Sequence, residues 1–416
     1  MAIIKPFKAL RPQVALSKQV ASRPYDVLNS AEAKEEANGN ENSFLHVTKS
    51  EIDLPSSVDV HSEEVYLKAK DNLEAFIKRN ILFQENKACF YIYQLIMKDP
   101  HTGIPRSQTG LVCVSSIADY ENNIILKHEF TRPEKELDRI NHIKTTGAQT
   151  GNVFLAYRNN NEVDTIIEDW KTNRSAVYNF TANDGIQHSI WVINEDDIIV
   201  KIETLFNEKI PFTYIADGHH RAASAAKVKD ALGEKATENS NYFLTTLFPS
   251  NQLHIMDYNR IAKDLNGLTV EEFIKEIEKD FHIDNKDSEV VTPSALHEFG
   301  MFLNNQWYLL KAKEGTFTTD AIGVLDVTIL QNNILSKILN INDPRTDSRV
   351  DFVGGIRGLK ELEKRVNNGD AAVAFSLYPV SIQQLFNISD NGQVMPPKST
   401  WFEPKLRDGL LTHLIN

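Results

Sequence analysis

Two cysteines among 416 residues are too few for a disulfide framework. Cys89 and Cys113 each sit in an apolar, strand-like stretch, so they read as reduced core residues and point to the cytoplasm. No paired-Cys or HExxH spacing accompanies the histidines, which argues against a zinc site. No apolar run reaches the length of a membrane helix, and the run after Met1 is too short for a secretion signal. Basic excess is missing too: the net charge of −12 argues against a broad nucleic-acid footprint, which needs Lys and Arg to neutralise phosphates. Repeats, heptads, low-complexity segments and Gly/Ser linkers are absent, so domain boundaries must be inferred from element order. What remains, 41% hydrophobic and 25% charged residues, is an ordinary globular composition, long enough for two or three folding units.

The densest chemistry is Asp217-Gly218-His219-His220-Arg221. An apolar run, Phe212 to Ala216, predicts a short buried strand, and the Ala-rich stretch after Arg221 predicts a helix. The turn between them predicts an anion cradle. A helix N-terminus presents unsatisfied N–H groups, Gly218 lets a ligand approach the backbone, and Arg221 offers a fork to phosphate or carboxylate. His219 and His220 add donors whose charge changes near neutral pH. Asp217 as a plain N-cap, with the two histidines bridging loops, is the structural alternative.

A second polar concentration follows the apolar Ile124-Ile125-Leu126: Lys127-His128-Glu129, Thr131-Arg132, then a charged helix. A carboxylate beside a histidine at a strand end is a plausible acid/base pair, and a solvated helix start fits the same residues. Gly147 to Gly151 lacks the P-loop ending and predicts a turn. Gly354 to Gly358 follows a strand and opens a helix, which suits a phosphate cradle or simply a tight turn. Pro24-Tyr25-Asp26 predicts a rigid turn or a site wall. The stretch Pro396 to Lys405, mixing prolines, aromatics and donors, suits a lid or ordinary packing.

In chain order, an irregular lead-in gives way to a helix from Ser62 to Ile81 and a hairpin over Ala88–Met97 and Thr109–Val114. Alternating strands and helices follow, among them a helix from Glu195 to Phe206 with one apolar face. Strands are expected at Tyr242–Phe248 and Leu253–Tyr258. The last third predicts helices over Val270–Phe281 and Val327–Leu339, with strands near Trp307 and Val350. The fold class is α/β (α+β), mixed sheets with flanking helices, divided as 1–110, 111–260 and 261–416 with soft boundaries.

Together, Lys5-Pro6-Phe7-Lys8-Ala9-Leu10-Arg11-Pro12, Pro24-Tyr25-Asp26-Val27, Lys127-His128-Glu129, the Asp217–Arg221 element, Asp351-Phe352-Val353-Gly354-Gly355 and Pro396-Pro397-Lys398-Ser399-Thr400-Trp401-Phe402 resemble a bacterial and archaeal family, domain-of-unknown-function family 1015. Its Asp-Gly-His-His-Arg element is similar to the ParB/sulfiredoxin-like group, which includes nucleotide-dependent kinases of free serine. That resemblance implies a central ParB/sulfiredoxin-like unit. It implies that Gly218, His219, His220 and Arg221 hold phosphate, that Asp217 caps the helix or helps hold metal, and that Glu129, after His128, is the base. His219 stands where sulfiredoxin carries its cysteine, which argues against sulfinic-acid chemistry. The implied activity is phosphoryl transfer from ATP or ADP with Mg²⁺ to a small hydroxylated metabolite such as serine. A phosphate-ester hydrolase, or a non-catalytic nucleotide sensor with a protein partner, would use the same residues. The expected ligand is a small phosphate-containing molecule, with neither nucleic acid nor membrane as partner.

Overall fold

The computed structural model describes the whole chain except residues 101, 132 and 288. Arg132, part of the polar concentration after Leu126, thus lies outside the described residues. A mixed sheet of nine strands takes up the first part of the chain. In chain order these are β1 (Ile4–Lys5), β2 (Phe90–Lys98), β3 (Pro105–Ser116), β4 (Ile125–Leu126), β5 (Val153–Tyr157), β6 (Tyr178–Thr181), β7 (Gln187–Ile193), β8 (Thr213–Asp217) and β9 (Tyr242–Pro249). Across the sheet they run β4-β8-β5-β9-β3-β2-β7-β6, with β1 pairing alongside β3.

The expected hairpin forms between β2 and β3, in antiparallel register from Tyr91 opposite Val112 to Lys98 opposite Pro105. β2 is apolar nearly throughout, as is β3 from Leu111 to Val114, because both faces are covered there. Alternation sorts the side chains: Tyr91, Tyr93 and Leu95 enter one core, and Phe90 and Ile92 the other. Helices α3 (Asn161–Asn173) and α4 (Asp196–Lys209) cover the second face with Ile166, Ile167, Ile202 and Phe206. Full burial of each such side chain stabilises by about 1.5–3 kcal/mol. Helix α1 (Glu63–Lys78) packs on α2 (Pro133–Thr146). α2 in turn lies along α5 (His219–Leu232), where Ser224 Oγ donates to the Glu136 carbonyl at 3.1 Å.

Position 110 lies inside β3, and this one sheet draws strands from residue 4 through residue 249. The second sheet, antiparallel throughout, is built from β10 (Tyr258–Ala262), β11 (Phe281–Asp287), β12 (Glu298–Leu303), β13 (Gln306–Ala312), β14 (Val350–Gly354) and β15 (Val373–Leu377). Their spatial order is β11-β13-β12-β15-β10-β14. Phe299, Met301 and Phe375 from this sheet join Tyr93, Phe154 and Tyr214 from the first in one continuous core.

Several local readings change. The helix expected to reach Phe281 stops at Ile277, and Phe281 opens β11 instead. The helix from Asp326 is α-helical only to Leu330, then widens into a π-helical turn over Gln331–Ser336. The strand expected from Leu253 to Tyr258 is displaced: Ile255–Met256 pairs with Trp401–Phe402, and Tyr258 begins β10. Within the stretch expected to be a turn, Ala148–Gln149 pairs with His413–Leu414. The C-terminal segment therefore returns to the N-terminal half, where Asp408 bridges to Ser22 and Thr412 to Leu10.

Candidate functional site

The Asp217–Arg221 element forms a strand, a one-residue turn and a helix. The pairing of β8 with β5 slips between Ile215 and Asp217, and such an irregularity re-aims a strand-end side chain. Gly218 follows with φ of 98°, in the left-handed region that glycine enters without steric cost. A Cβ there would lie 3.1 Å from Arg221 Nε and 3.3 Å from Val153 Cα, so contact as well as conformation demands glycine. Gly218, not Asp217, is the N-cap residue, and no side chain caps the helix. The reason is that the Asp217 carboxylate is engaged elsewhere: its Oδ2 lies 3.2 Å from Arg221 Nη2 and 3.2 Å from Lys405 Nζ. Burial alone would raise its pKa, but the Lys405 and Arg221 cations hold it well below the usual carboxylate range. Lys405 is raised in return: burial opposes its charge, and Asp217, Glu403 and Asp26 outweigh it.

Arg221 turns its fork inward. Nη1 donates to the Asn152 carbonyl, Nη2 reaches Asp217 and also Asp26 Oδ2 at 3.4 Å, and Nε is buried without a hydrogen-bond partner. Beneath it, Asp408 has one carboxylate oxygen buried without a partner. Burial raises the Asp408 carboxyl to about 8, against the pull of Arg221. The guanidinium expected to grip phosphate thus joins Asp26 of the lead-in, the β5 edge and α5.

His128, Glu129 and His219 come together although 90 or so residues separate them. The His128 and His219 rings meet edge to face at 4.6 Å. The His128 backbone N–H donates to His219 Nε2 at 3.5 Å. That makes Nε2 the acceptor and puts the proton of a neutral ring on Nδ1, which lies 3.9 Å from Glu129 Oε2. Burial, helped by His128 nearby, holds the His219 pKa far below its ordinary value. His128 sits behind His219, buried, with its pKa lowered to about 4 by desolvation. His128 therefore does not line the cleft, whereas Glu129, His219 and His220 do.

That cleft has a volume of about 900 Å³, within the range of small-molecule and cofactor sites, roughly 300–1,000 Å³. One wall is the Asp217–Arg221 turn with Asp26, and another is α2 with Glu134 and Asp138. The third comes from the second sheet and the C-terminal segment, with Tyr258, Phe352, Arg357, Lys398, Trp401 and Lys405. Among the described residues, no three or more His, Cys, Asp or Glu side chains converge as a metal cage. Gly354 and Gly355 make room for the Trp401 ring and for Asp257, so this second Gly-rich turn serves packing at the cleft rim. Asp408 carried no local signal in the sequence, and Lys405 was marked only as the end of the Pro396 to Lys405 stretch. Asp26 and Trp401 lay in segments whose Pro-fixed backbone suited either a site wall or plain packing, and both line the cleft.

Fold and cleft define a mixed α/β protein with a ligand-sized site where a strand-turn-helix element faces a second, antiparallel sheet. The chain belongs to the family described as "Protein of unknown function (DUF1015)", whose model matches residues 4–328. No curated protein matches it. Among solved structures it is similar to a mutant free serine kinase in complex with ADP, at 12% identity and a TM-score of 0.37 over 74% of this chain and 96% of that one. A conserved hypothetical protein from Pyrococcus furiosus matches at 13% and 0.36, over 69% and 90%. SbnI with C-terminal truncation, from Staphylococcus aureus, matches at 10% and 0.32, over 72% and 86%.

Proposed function

We propose that the cleft binds a nucleotide by its phosphates and transfers a phosphoryl group to a small hydroxylated metabolite, with an amino acid such as serine as the acceptor class. One observation carries the reading: an ionised Asp217, held between Arg221 and Lys405 at a glycine turn, shares a cleft with Glu129. The first amides of α5 have no intrahelical acceptor, and with Lys405 they suit phosphate oxygens. Asp26 and Asp217 both reach Arg221 Nη2, so a magnesium ion would arrive on the nucleotide's phosphates, and either carboxylate would hold it only by exchanging its contact with Arg221. When bound there, magnesium would neutralise charge on the transferred group. Glu129 takes the proton of the acceptor hydroxyl, and the neutral His219 stands beside that carboxylate, its Nδ1 3.9 Å from Oε2.

The test begins with thermal melts of the intact chain with ATP or ADP, with and without Mg²⁺. A ligand at a hundred times its Kd stabilises by about 2.7 kcal/mol, so binding must raise Tm. Phosphorus NMR with ATP and a mixture of hydroxylated metabolites then reads transfer. Glu129→Gln should keep the melting shift and lose turnover. Unchanged turnover removes Glu129 as base, release of inorganic phosphate alone makes the protein a hydrolase, and binding without turnover makes it a sensor. No shift with any nucleotide ends the proposal.

A further inference from the structure

The second-sheet wall of the cleft holds an aromatic cluster that phosphate binding leaves unused. Tyr258 of β10 and Phe352 of β14 meet edge to face at 5.9 Å, and Tyr258 meets Trp401 at 5.0 Å. All three line the cleft. The indole is fixed on two sides. A Cβ at Gly354 would lie 2.8 Å from its ring carbons, so the ring lies against bare backbone, and its Nε1 donates to Glu403 Oε1 at 3.1 Å. Lys405 Nζ stands 5.1 Å from the ring centroid and 3.2 Å from Asp217. One ammonium therefore touches both the aromatic wall and the Asp217 turn.

Cations already approach these rings. Lys405 faces Trp401, Lys398 lies 5.8 Å from the Tyr258 centroid, and Arg260 lies 4.8 Å from that of Phe352. A cationic ligand would meet repulsion there, whereas a neutral planar ring bearing a negative group would be attracted to wall and rim alike. Arg357 and Lys398, both exposed, add positive charge to the rim. We propose that Trp401, backed by the buried Tyr258 and flanked by Phe352, stacks the base of a nucleoside diphosphate or triphosphate whose phosphates lie toward Lys405 and the Gly218 turn. This rests on the phosphate reading above and adds that the base, not only the phosphates, contributes to affinity.

Fluorescence gives a direct readout, because the chain has 4 tryptophans and Trp170, Trp191 and Trp307 are buried in cores. The full chain is titrated with ADP and, separately, with pyrophosphate, each with Mg²⁺. ADP should quench and bind at least about tenfold tighter than pyrophosphate, the scale of one stacked base. Pyrophosphate should displace ADP while quenching little. Trp401→Ala should weaken ADP about tenfold and leave pyrophosphate affinity unchanged, and Trp401→Phe should restore most of the loss. Equal affinity for ADP and pyrophosphate in the natural chain, a comparison independent of any variant's folding, overturns the stacking site and leaves the phosphate reading standing. Equal weakening of both ligands by Trp401→Ala also overturns it, and binding of neither ligand ends both proposals.

Discussion

Lys405 and Asp217 form the pair on which the cleft's electrostatics turn. Replacing Lys405 with Met removes one of two cations from a carboxylate whose charge burial already opposes. The expected result is a rise in the Asp217 pKa and at least tenfold weaker nucleotide binding by calorimetry, since charge-assisted contacts contribute about 1.5–3 kcal/mol. Asp408 makes a separate prediction with the opposite sign. Its folded pKa of about 8 lies above the ordinary 3.8, so its stabilising contribution is complete below the lower value and is lost as pH rises through the upper one. Asp408→Asn keeps the shape of the neutral side chain. It should raise Tm relative to the natural chain above pH 8 and change it little near pH 4. Melting curves across that range check this, and equal Tm differences at both ends would count against it.

At the scale of elements, the glycine turn before α5 should tolerate no side chain. Gly218→Ala forces a Cβ into the left-handed region, costing about 1–2 kcal/mol, and pushes it toward Arg221 and Val153. Urea unfolding should show at least that loss, together with weakened ligand binding. This element was legible in sequence because its signals are local: an apolar strand, a glycine and an Ala-rich helix within 20 residues or so. The apolar face of α4 was legible for the same reason. Asp217's partner was not, because Lys405 lies 188 residues away and no periodicity encodes a long-range ion pair. β11 escaped because His282, Asp284 and the polar residues beside them sit on an edge strand, where one side stays solvated. Arg221 was legible as a site residue but not in its direction, since Asn152 and Asp26 claim its fork only once three distant segments meet.

The whole molecule carries a pH signature in its buried histidines. Burial lowers His128, His142 and His413 to about 4, and burial with Arg407 nearby lowers His188 to about 3. An unfolded chain takes up these protons near 6.5, the ordinary value. The contribution of each to stability is therefore complete above that pH and is lost as pH falls toward 4, with each tenfold gap in proton affinity worth about 1.4 kcal/mol. Unfolding free energy should drop steeply between pH 6.5 and 4, and His142→Gln should flatten part of that slope.

The segment from Pro396 onward pairs with Ile255–Met256, Ser22, Leu10 and Ala148–Gln149, and brings Trp401 and Lys405 to the cleft. A chain emerging from the ribosome exposes its N-terminal portion first, so every strand of the first sheet is made well before the lysine that balances Asp217. A nascent or prematurely terminated product would hold the turn with Arg221 but without Lys405, the second cation on Asp217. Under the proposed function, nucleotide would then raise the melting temperature of the full chain more than that of a product ending before Lys405.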